Sequence, residues 1–378
     1  MKVLMIGLDI FDQSLNKSSP FFIHHKKFSE VAELYNIARS SQSYFEYDYA
    51  LKGHLIALPG KILFYPIYTV ITGLRIIRKE GIDIIHVQDT LLTGFPGYIL
   101  ALLTKKPLIS SFYGYITDDA YYNFIFYAKR KKYLHSLINI FKYSFLYMLS
   151  NTITRLVVRK SKKIRVLTHT LGKYAKKFGA KEYKISQIPM RVSYEYVKQT
   201  GKKNYFPKEE FVILNVGQII PRKGIDLLIL SLPDLLKDLQ NIHLYIAGDG
   251  KIISDLINLA ESLKVSTKIH FLGPLNNNDV LGYMKSANVF VLPTRSEGMG
   301  QVLIEALSVG TPVISTNVGG IPDFLTNDYD SILIPKDNIQ ALKKAIIKIA
   351  IDKKFTSKII KNGHQTAKKY SLNNTAKL

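Results

Sequence analysis

Cysteine is absent from the 378 residues, which excludes disulfides and thiolate metal sites and fits a reducing compartment. No apolar run reaches the length of a membrane span, since Ile62 to Leu74 is short and interrupted by Pro66 and Gly73. There is no low-complexity tract. The N-terminus, MKVLMIGLDI, opens directly on an apolar strand pattern and lacks the cleavage region of a signal peptide. Acidic residues are scarce, 29 against 52 Lys and Arg, for a formal charge of +23. The imbalance is local: residues 1–205 carry 32 basic and 13 acidic side chains, a net +19, while residues 206–378 carry 20 and 16, a net +4. A field of that size calls for an anionic partner, and the first half supplies nearly all of it. No nucleic-acid-binding motif accompanies the charge, so nucleic acid is not the expected partner.

What the chain does have is 47% hydrophobic residues and a length that suits two domains of ordinary size. Its organising stretch is Val289–Pro322, VFVLPTRSEGMGQVLIEALSVGTPVISTNVGGIP. Val289–Leu292 reads as a buried strand ended by Pro293. A turn of small and polar residues follows, then a helix from about Met299 with Gly310 as its stop, then a second apolar strand. Strand, loop, helix and strand make one unit of a parallel sheet, and such sheets bind ligands at the carboxyl edge of their strands. Glu297 falls in that edge loop and Glu305 on the departing helix. Gly298 and Gly300 flank Met299, so the backbone can approach a ligand and offer N–H groups at a helix start. An ionised carboxylate beside such donors suits a set of sugar hydroxyls. Taken singly, either Glu reads as an ordinary helix-entry or solvated charge.

Three further strand–loop–helix units precede this one, the third running from Lys268–Leu272 through Gly273-Pro274 to a helix over Asp279–Ser286. Phe211–Val216 leads through Gly217 to Pro221-Arg222-Lys223-Gly224 and a helix over Ile225–Leu236. His243–Ala247 leads through Gly248-Asp249-Gly250 to a helix over Ile252–Leu263. Two cations beside a helix N-terminus and a flexible Gly suit a diphosphate.

Glu297-x7-Glu305 between two buried strands, together with Arg222-Lys223-Gly224, resembles the signature of the retaining glycosyltransferases of family 4. The resemblance covers nearly the whole chain, is specific from about residue 208 to 335, and is weaker before Ile82. It implies an α/β chain of the GT-B class: two Rossmann-like domains with parallel sheets facing across a cleft. The expected division is 1–193 for a basic, acceptor-binding domain, 194–207 for a linker, and 208–378 for the donor-binding domain. The implied reaction moves a sugar from a nucleoside diphosphate sugar to an acceptor hydroxyl with retention of configuration. Arg222 and Lys223 would hold the diphosphate, with Gly217 beside it. Glu297 and the Gly298-Met299-Gly300 backbone would hold the sugar, and Glu305 the ribose. Glu297, Arg222 and Lys223 are the catalytic candidates. With fixed cations at the leaving group, no resident cofactor and no metal is expected, and no DxD-like carboxylate pair stands where a metal-bridged diphosphate would need one.

The chain departs from the family in places. The loop after Gly7, with Asp9, Asp12, Asn16 and Ser18, lacks the usual paired glycines. Tyr113 stands where His is common, Gln218 where Arg is common, and Met190-Arg191 where Asn-Gly is common. The final helix that in the family crosses back to domain one looks cut short. Asp9, His86 and Tyr113 are the cleft candidates of the first domain; a lone His at a strand end is more often a packed structural residue. Phe28–Ala38 reads as helical and Ile67–Lys79 as an amphipathic helix.

Tyr121–Lys163 joins the run Lys129-Arg130-Lys131-Lys132 to an aromatic-rich helical stretch and a second basic cluster, Arg155 to Lys163. That pattern suits an anionic bilayer surface, or alternatively a solvated basic face on a packed helix. The partners expected are therefore a nucleotide-sugar donor, a glycan or lipid-linked acceptor, and an anionic membrane surface. The expected location is cytoplasmic, at the inner face of the cell membrane. A GT-B epimerase or phosphorylase, and a non-catalytic membrane-attached nucleotide-sugar binder, are the alternatives.

Overall fold

A computed structural model describes residues 1–11, 25–26, 28–41, 43–59, 64–115, 118–128, 133–190 and 204–371. Asp12, Asn16, Ser18, the run Lys129–Lys132 and residues 191–203 lie outside them. The chain packs as two compact units, residues 1–117 with 141–187, and residues 118–140 with 188–378.

The first unit is an eight-stranded sheet, in the order β3-β4-β2-β1-β5-β6-β7-β8. Its strands are β1 (Lys2–Phe11), β2 (Glu33–Ser40), β3 (Phe45–Ala50), β4 (Gly53–Leu58), β5 (Ile84–Val87), β6 (Leu108–Phe112), β7 (Lys163–Val166) and β8 (Ile185–Gln187). All pairings are parallel except β3 with β4. Helix α1 (Tyr65–Glu80) links β4 to β5, and α2 (Gly94–Thr104) links β5 to β6. Pro66 sits in the first turn of α1, where its missing N–H costs nothing, and Gly81 ends the helix in a left-handed conformation at φ 69°. Thr69, Gly73, Ile76 and Ile77 face inward, and Leu4, Ile6, Ile37, Ile85 and Leu100 form the core they join.

Residues 33–40, within a stretch whose sequence pattern suggests a helix, form β2. Leu34 to Ala38 are buried, with partners in β1 on one side and β4 on the other. A strand buried on both faces reads as a continuous apolar run and loses the alternation that identifies strands.

The second unit holds a six-stranded parallel sheet, β11-β10-β9-β12-β13-β14. α3 (Asp118–Ala128) belongs to this unit, whereas α4 (Tyr133–Lys160) from residue 141 and α5 (His169–Lys177), which follows β7, belong to the first. The strands are β9 (Phe211–Val216), β10 (Ile242–Ala247), β11 (Ile269–Gly273), β12 (Val289–Leu292), β13 (Val313–Thr316) and β14 (Ile332–Ile334). Helices α6 (Ile225–Asp238), α7 (Ile253–Ser262), α8 (Asn277–Ser286), α9 (Gln301–Val309), α10 (Ile339–Ile351) and α11 (Lys353–Lys369) follow them in turn. Ile213, Leu228, Leu232, Leu244, Val289 and Ile314 are buried at the centre.

α11 packs on α9 within this unit: a Cβ at Gly363 would stand 2.6 Å from the Leu307 side chain. α3, expected within the first domain, packs with the second unit, and Phe126 joins that unit's core. Along α4, Phe145 to Leu149 are exposed, and Ser150, Thr154, Val157 and Val158 are buried. Among the described residues, no helix is long and apolar enough to cross a membrane.

Candidate active site

Two loops at the carboxyl edge of the second sheet build the site. The first leaves β9 at Gly217, makes a short turn over Pro221–Lys223, and enters α6 through Gly224. The second leaves β12 at Pro293 and enters α9 through Gly300. They touch so closely that a Cβ on Gly224, already at φ 69°, would stand 2.0 Å from the Pro293 carbonyl oxygen. Only glycine fits there. Gly300, at φ 75°, sets the turn from which α9 starts without a side-chain cap.

Hydrogen bonds lace the loops together. The Arg222 carbonyl accepts from the Arg295 amide at 2.7 Å, and the Thr294 hydroxyl stands 3.1 Å from it. Arg222 Nη1 donates to the Ser296 carbonyl at 2.8 Å. Arg295 is the central clamp. Its guanidinium donates to both oxygens of Asp226, at 2.9 and 2.7 Å, to Asp337 at 2.6 Å, and to the Pro221 carbonyl at 2.6 Å. Burial opposes the charge of Arg295, but the Asp226 and Asp337 carboxylates outweigh it and hold the guanidinium pKa above its ordinary value.

Within this frame Lys223 Nζ meets Glu297 Oε2 at 2.6 Å, with Arg222 Nη1 at 3.9 Å from the same oxygen. The three side chains are only 12–18% exposed, so the pair is largely removed from water and its attraction is strong. Sequence reading assigns Lys223 to a diphosphate and Glu297 to sugar hydroxyls. Here the two groups hold each other, one carboxylate beside two cations. The Gly320 amide donates to the Glu297 carbonyl at 3.0 Å and fixes its backbone. Met299 is 1% exposed, so its side chain belongs to the core while its backbone remains at the loop; its sulfur accepts from the Met190 amide at 3.3 Å. Glu305 lies on α9 and accepts from Gln301 Nε2 at 2.8 Å, and burial raises its pKa above the ordinary carboxylate value.

The arrangement concentrates donors and positive charge where two strands end and two helices begin, which suits an anionic leaving group. The Arg295–Asp226–Asp337 clamp is not visible from sequence. Its signals are an Arg two residues before Glu297 and an acid in the first turn of α6, each unremarkable alone.

His86 and Tyr113 are each tied to neighbouring residues of the first sheet. His86 Nε2 lies 2.9 Å from Ser111 Oγ across the β5–β6 pair, and burial, with help from Arg165, pushes its pKa down to about 4, so the imidazole is neutral. Tyr113 Oη accepts from Arg165 Nη1 at 3.1 Å, and the guanidinium lies 5.5 Å from the ring centroid. Asp9 is exposed near the end of β1. Asp89, three residues after His86, is half-buried and caps the turn into α2 by accepting from the amides of Leu91, Leu92 and Thr93 at 2.6–3.1 Å.

Residues 197–366 match the family model described as glycosyl transferases group 1. A glycosyltransferase of Methanocaldococcus jannaschii, itself uncharacterized, is 27% identical over 79% of this chain and 74% of its own length. A GDP-mannose-dependent alpha-(1-6)-phosphatidylinositol monomannoside mannosyltransferase of Mycobacterium tuberculosis is 27% identical over 40% of this chain and 41% of its own. Under half of that enzyme is therefore matched. Among solved structures, a sucrose-phosphate synthase from Thermosynechococcus elongatus superposes with a TM-score of 0.79 at 18% identity, covering 99% of this chain and 96% of that one. An Anabaena protein in complex with UDP-glucose gives 0.72 at 15% identity, covering 100% and 97%. These likenesses establish the fold as GT-B, with two parallel-sheet α/β domains.

Proposed function

We propose, from the match of residues 197–366 to the model described as glycosyl transferases group 1, that the protein is a glycosyltransferase moving a hexose from a nucleoside diphosphate sugar to an acceptor hydroxyl with retained configuration. One observation carries the reading: Arg222, Lys223 and Glu297 converge at the carboxyl edge of β9 and β12, on loops locked to each other. The incoming diphosphate draws Lys223 and Arg222 to its oxygens, and Glu297 turns to the sugar hydroxyls. As charge builds on the leaving oxygen, the two cations and the α6 and α9 N-termini stabilise it. Glu305 takes the ribose. With that charge supplied by side chains, turnover should survive EDTA. The UDP-glucose complex of the Anabaena protein and the GDP-mannose dependence of the mycobacterial one support a nucleotide-sugar donor.

The acceptor is proposed to be a lipid-linked or membrane glycan, taken by the first unit at a membrane surface. Phe64, just before α1, and Ile67, Tyr68 and Ile71 along it are exposed, its last turns carry Arg75, Arg78 and Lys79, and the exposed Phe145 to Leu149 lie on α4 of the same unit. Apolar residues rimmed by cations on a +19 half suit an anionic bilayer. Liposomes of anionic lipid should co-sediment the protein at low salt; protein left wholly in the supernatant contradicts the membrane reading. The reaction itself is tested by supplying labelled UDP-, GDP- and ADP-hexoses with a membrane lipid extract. Lipid-soluble label that needs both donor and extract is the expected result, and the anomeric proton coupling of the product reports retention. Conversion of the donor without extract contradicts the transferase reading.

A further inference from the structure

The second unit's site is bordered by a helix from the other half of the sequence. α3 lies against the Pro221–Lys223 turn, within the unit that holds the site. Its first residue, Asp118, accepts a hydrogen bond from the Ser296 hydroxyl. One turn on, the Tyr122 hydroxyl donates to the Arg295 carbonyl at 3.0 Å. Lys336 Nζ stands 3.5 Å from the Tyr122 oxygen and 5.9 Å from its ring centroid, and Phe126 packs into the unit's core. Ser296 and Arg295 are the two residues before Glu297, and the Ser296 carbonyl is the acceptor for Arg222. α3 thus grips, at two successive residues, the loop on which Glu297 is mounted.

We propose that α3 is a positioning element of the nucleotide-sugar site, with Asp118 the positioning residue that fixes Ser296 and through it Glu297 and Arg222. A serine hydroxyl donating to a carboxylate is a charge-assisted bond, stronger than a neutral one, and a partly buried pair is poorly replaced by water. Without it the 294–300 loop loses one of its anchors, and the spacing of Glu297 from the two cations loosens. Positioning errors of that kind reduce turnover more than they reduce folding stability. The donor site is therefore completed by residues that lie far outside the stretch matched by the family model. Its effect on turnover rests on the function proposed above; the effect on the loop does not.

The test uses the full chain and the variants Asp118→Ala, Asp118→Asn, Ser296→Ala, the double Asp118→Ala/Ser296→Ala, and Tyr122→Phe, each checked for a wild-type melting curve. Amide hydrogen exchange is followed without nucleotide, and then the dissociation constants for UDP, GDP and ADP are measured. In Asp118→Ala and Ser296→Ala, exchange at residues 294–300 should speed up about tenfold, as for the loss of one charge-assisted hydrogen bond, with no further gain in the double variant. Asp118→Asn, which still offers an acceptor oxygen, should restore most of the protection, and Tyr122→Phe should show a smaller change at Arg295. The dissociation constant of whichever nucleotide the wild type binds should rise about tenfold in step. Unchanged exchange at 294–300, additive effects in the double variant, or faster exchange spread over the whole unit would each overturn the proposal. Should the wild type bind no nucleotide, the proposed function fails, and the exchange data still decide the role of α3.

Discussion

The two units use their polar residues in opposite ways. In the first, the side chains with chemical potential are absorbed by the fold: His86 by Ser111, Tyr113 by Arg165, and Asp89 by the amides at the start of α2. In the second, the fold's own polar bonds are made by neighbouring residues, Thr294, Arg295 and Asp226, and these hold Arg222, Lys223 and Glu297 against one another in a largely dry loop pair. A polar side chain bonded into its sheet supports structure, whereas one held by a separate scaffold is available for exchange with a ligand. The proposed function follows this contrast, with the chemistry placed in the second unit and surface recognition in the first.

The strongest way to break this contrast is Lys223→Ala. Loss of one fixed cation at a developing anion should lower kcat/KM by about 10²–10³-fold, measured with whichever of the UDP-, GDP- or ADP-hexoses the wild type turns over. A residual rate near wild type would move the chemistry elsewhere. Arg295→Met comes next, because it strands Asp226, whose side chain is 17% exposed, without its partner. Chemical denaturation should show the second unit destabilised by about 3 kcal/mol, the usual cost of removing one member of a buried ion pair. An unaltered unfolding midpoint would show that the clamp is ornamental.

His86 sharpens the other side. Its folded pKa of about 4 lies below the ordinary 6.5, so the unfolded chain takes up a proton that the folded chain refuses. Its contribution to stability is therefore complete above about pH 6.5 and is lost as pH falls toward 4, by about 3 kcal/mol over that window. His86→Asn should flatten the acid limb of a melting-temperature profile while leaving turnover at pH 8 within about twofold. Tyr113→Phe should have the smallest effect, below about 1 kcal/mol in stability, since the cation–π contact with Arg165 survives the loss of the hydroxyl. A large fall in turnover from either variant would return the first unit to the chemistry.

Local pattern carried most of the second unit. Short apolar strands, glycines at their ends and amphipathic helices of ordinary length place Arg222, Lys223, Glu297 and Glu305 at one sheet edge before any coordinate is known. β2 was not readable in the same way, because burial on both faces removed its alternation. Pairwise chemistry at long range was also invisible. Nothing in the spacing of Lys223 and Glu297, 74 residues apart, distinguishes a mutual ion pair from two separate ligand contacts. Asp118 and Ser296, 178 residues apart, carry no mark of belonging together. Arg295 needed both Asp226 and Asp337 in view before its role could be recognised, since each of the three reads alone as a solvated surface charge.

The central claim is that the loop pair of the second unit binds a nucleoside diphosphate through Lys223 and Arg222. Isothermal titration of the wild-type chain with UDP, GDP and ADP, repeated on Lys223→Ala, tests it most directly. One nucleotide should bind the wild type, and its affinity should fall at least about tenfold in the variant, a difference of about 1.4 kcal/mol. Equal affinity in both proteins, or no binding of any of the three at millimolar concentration, would contradict it.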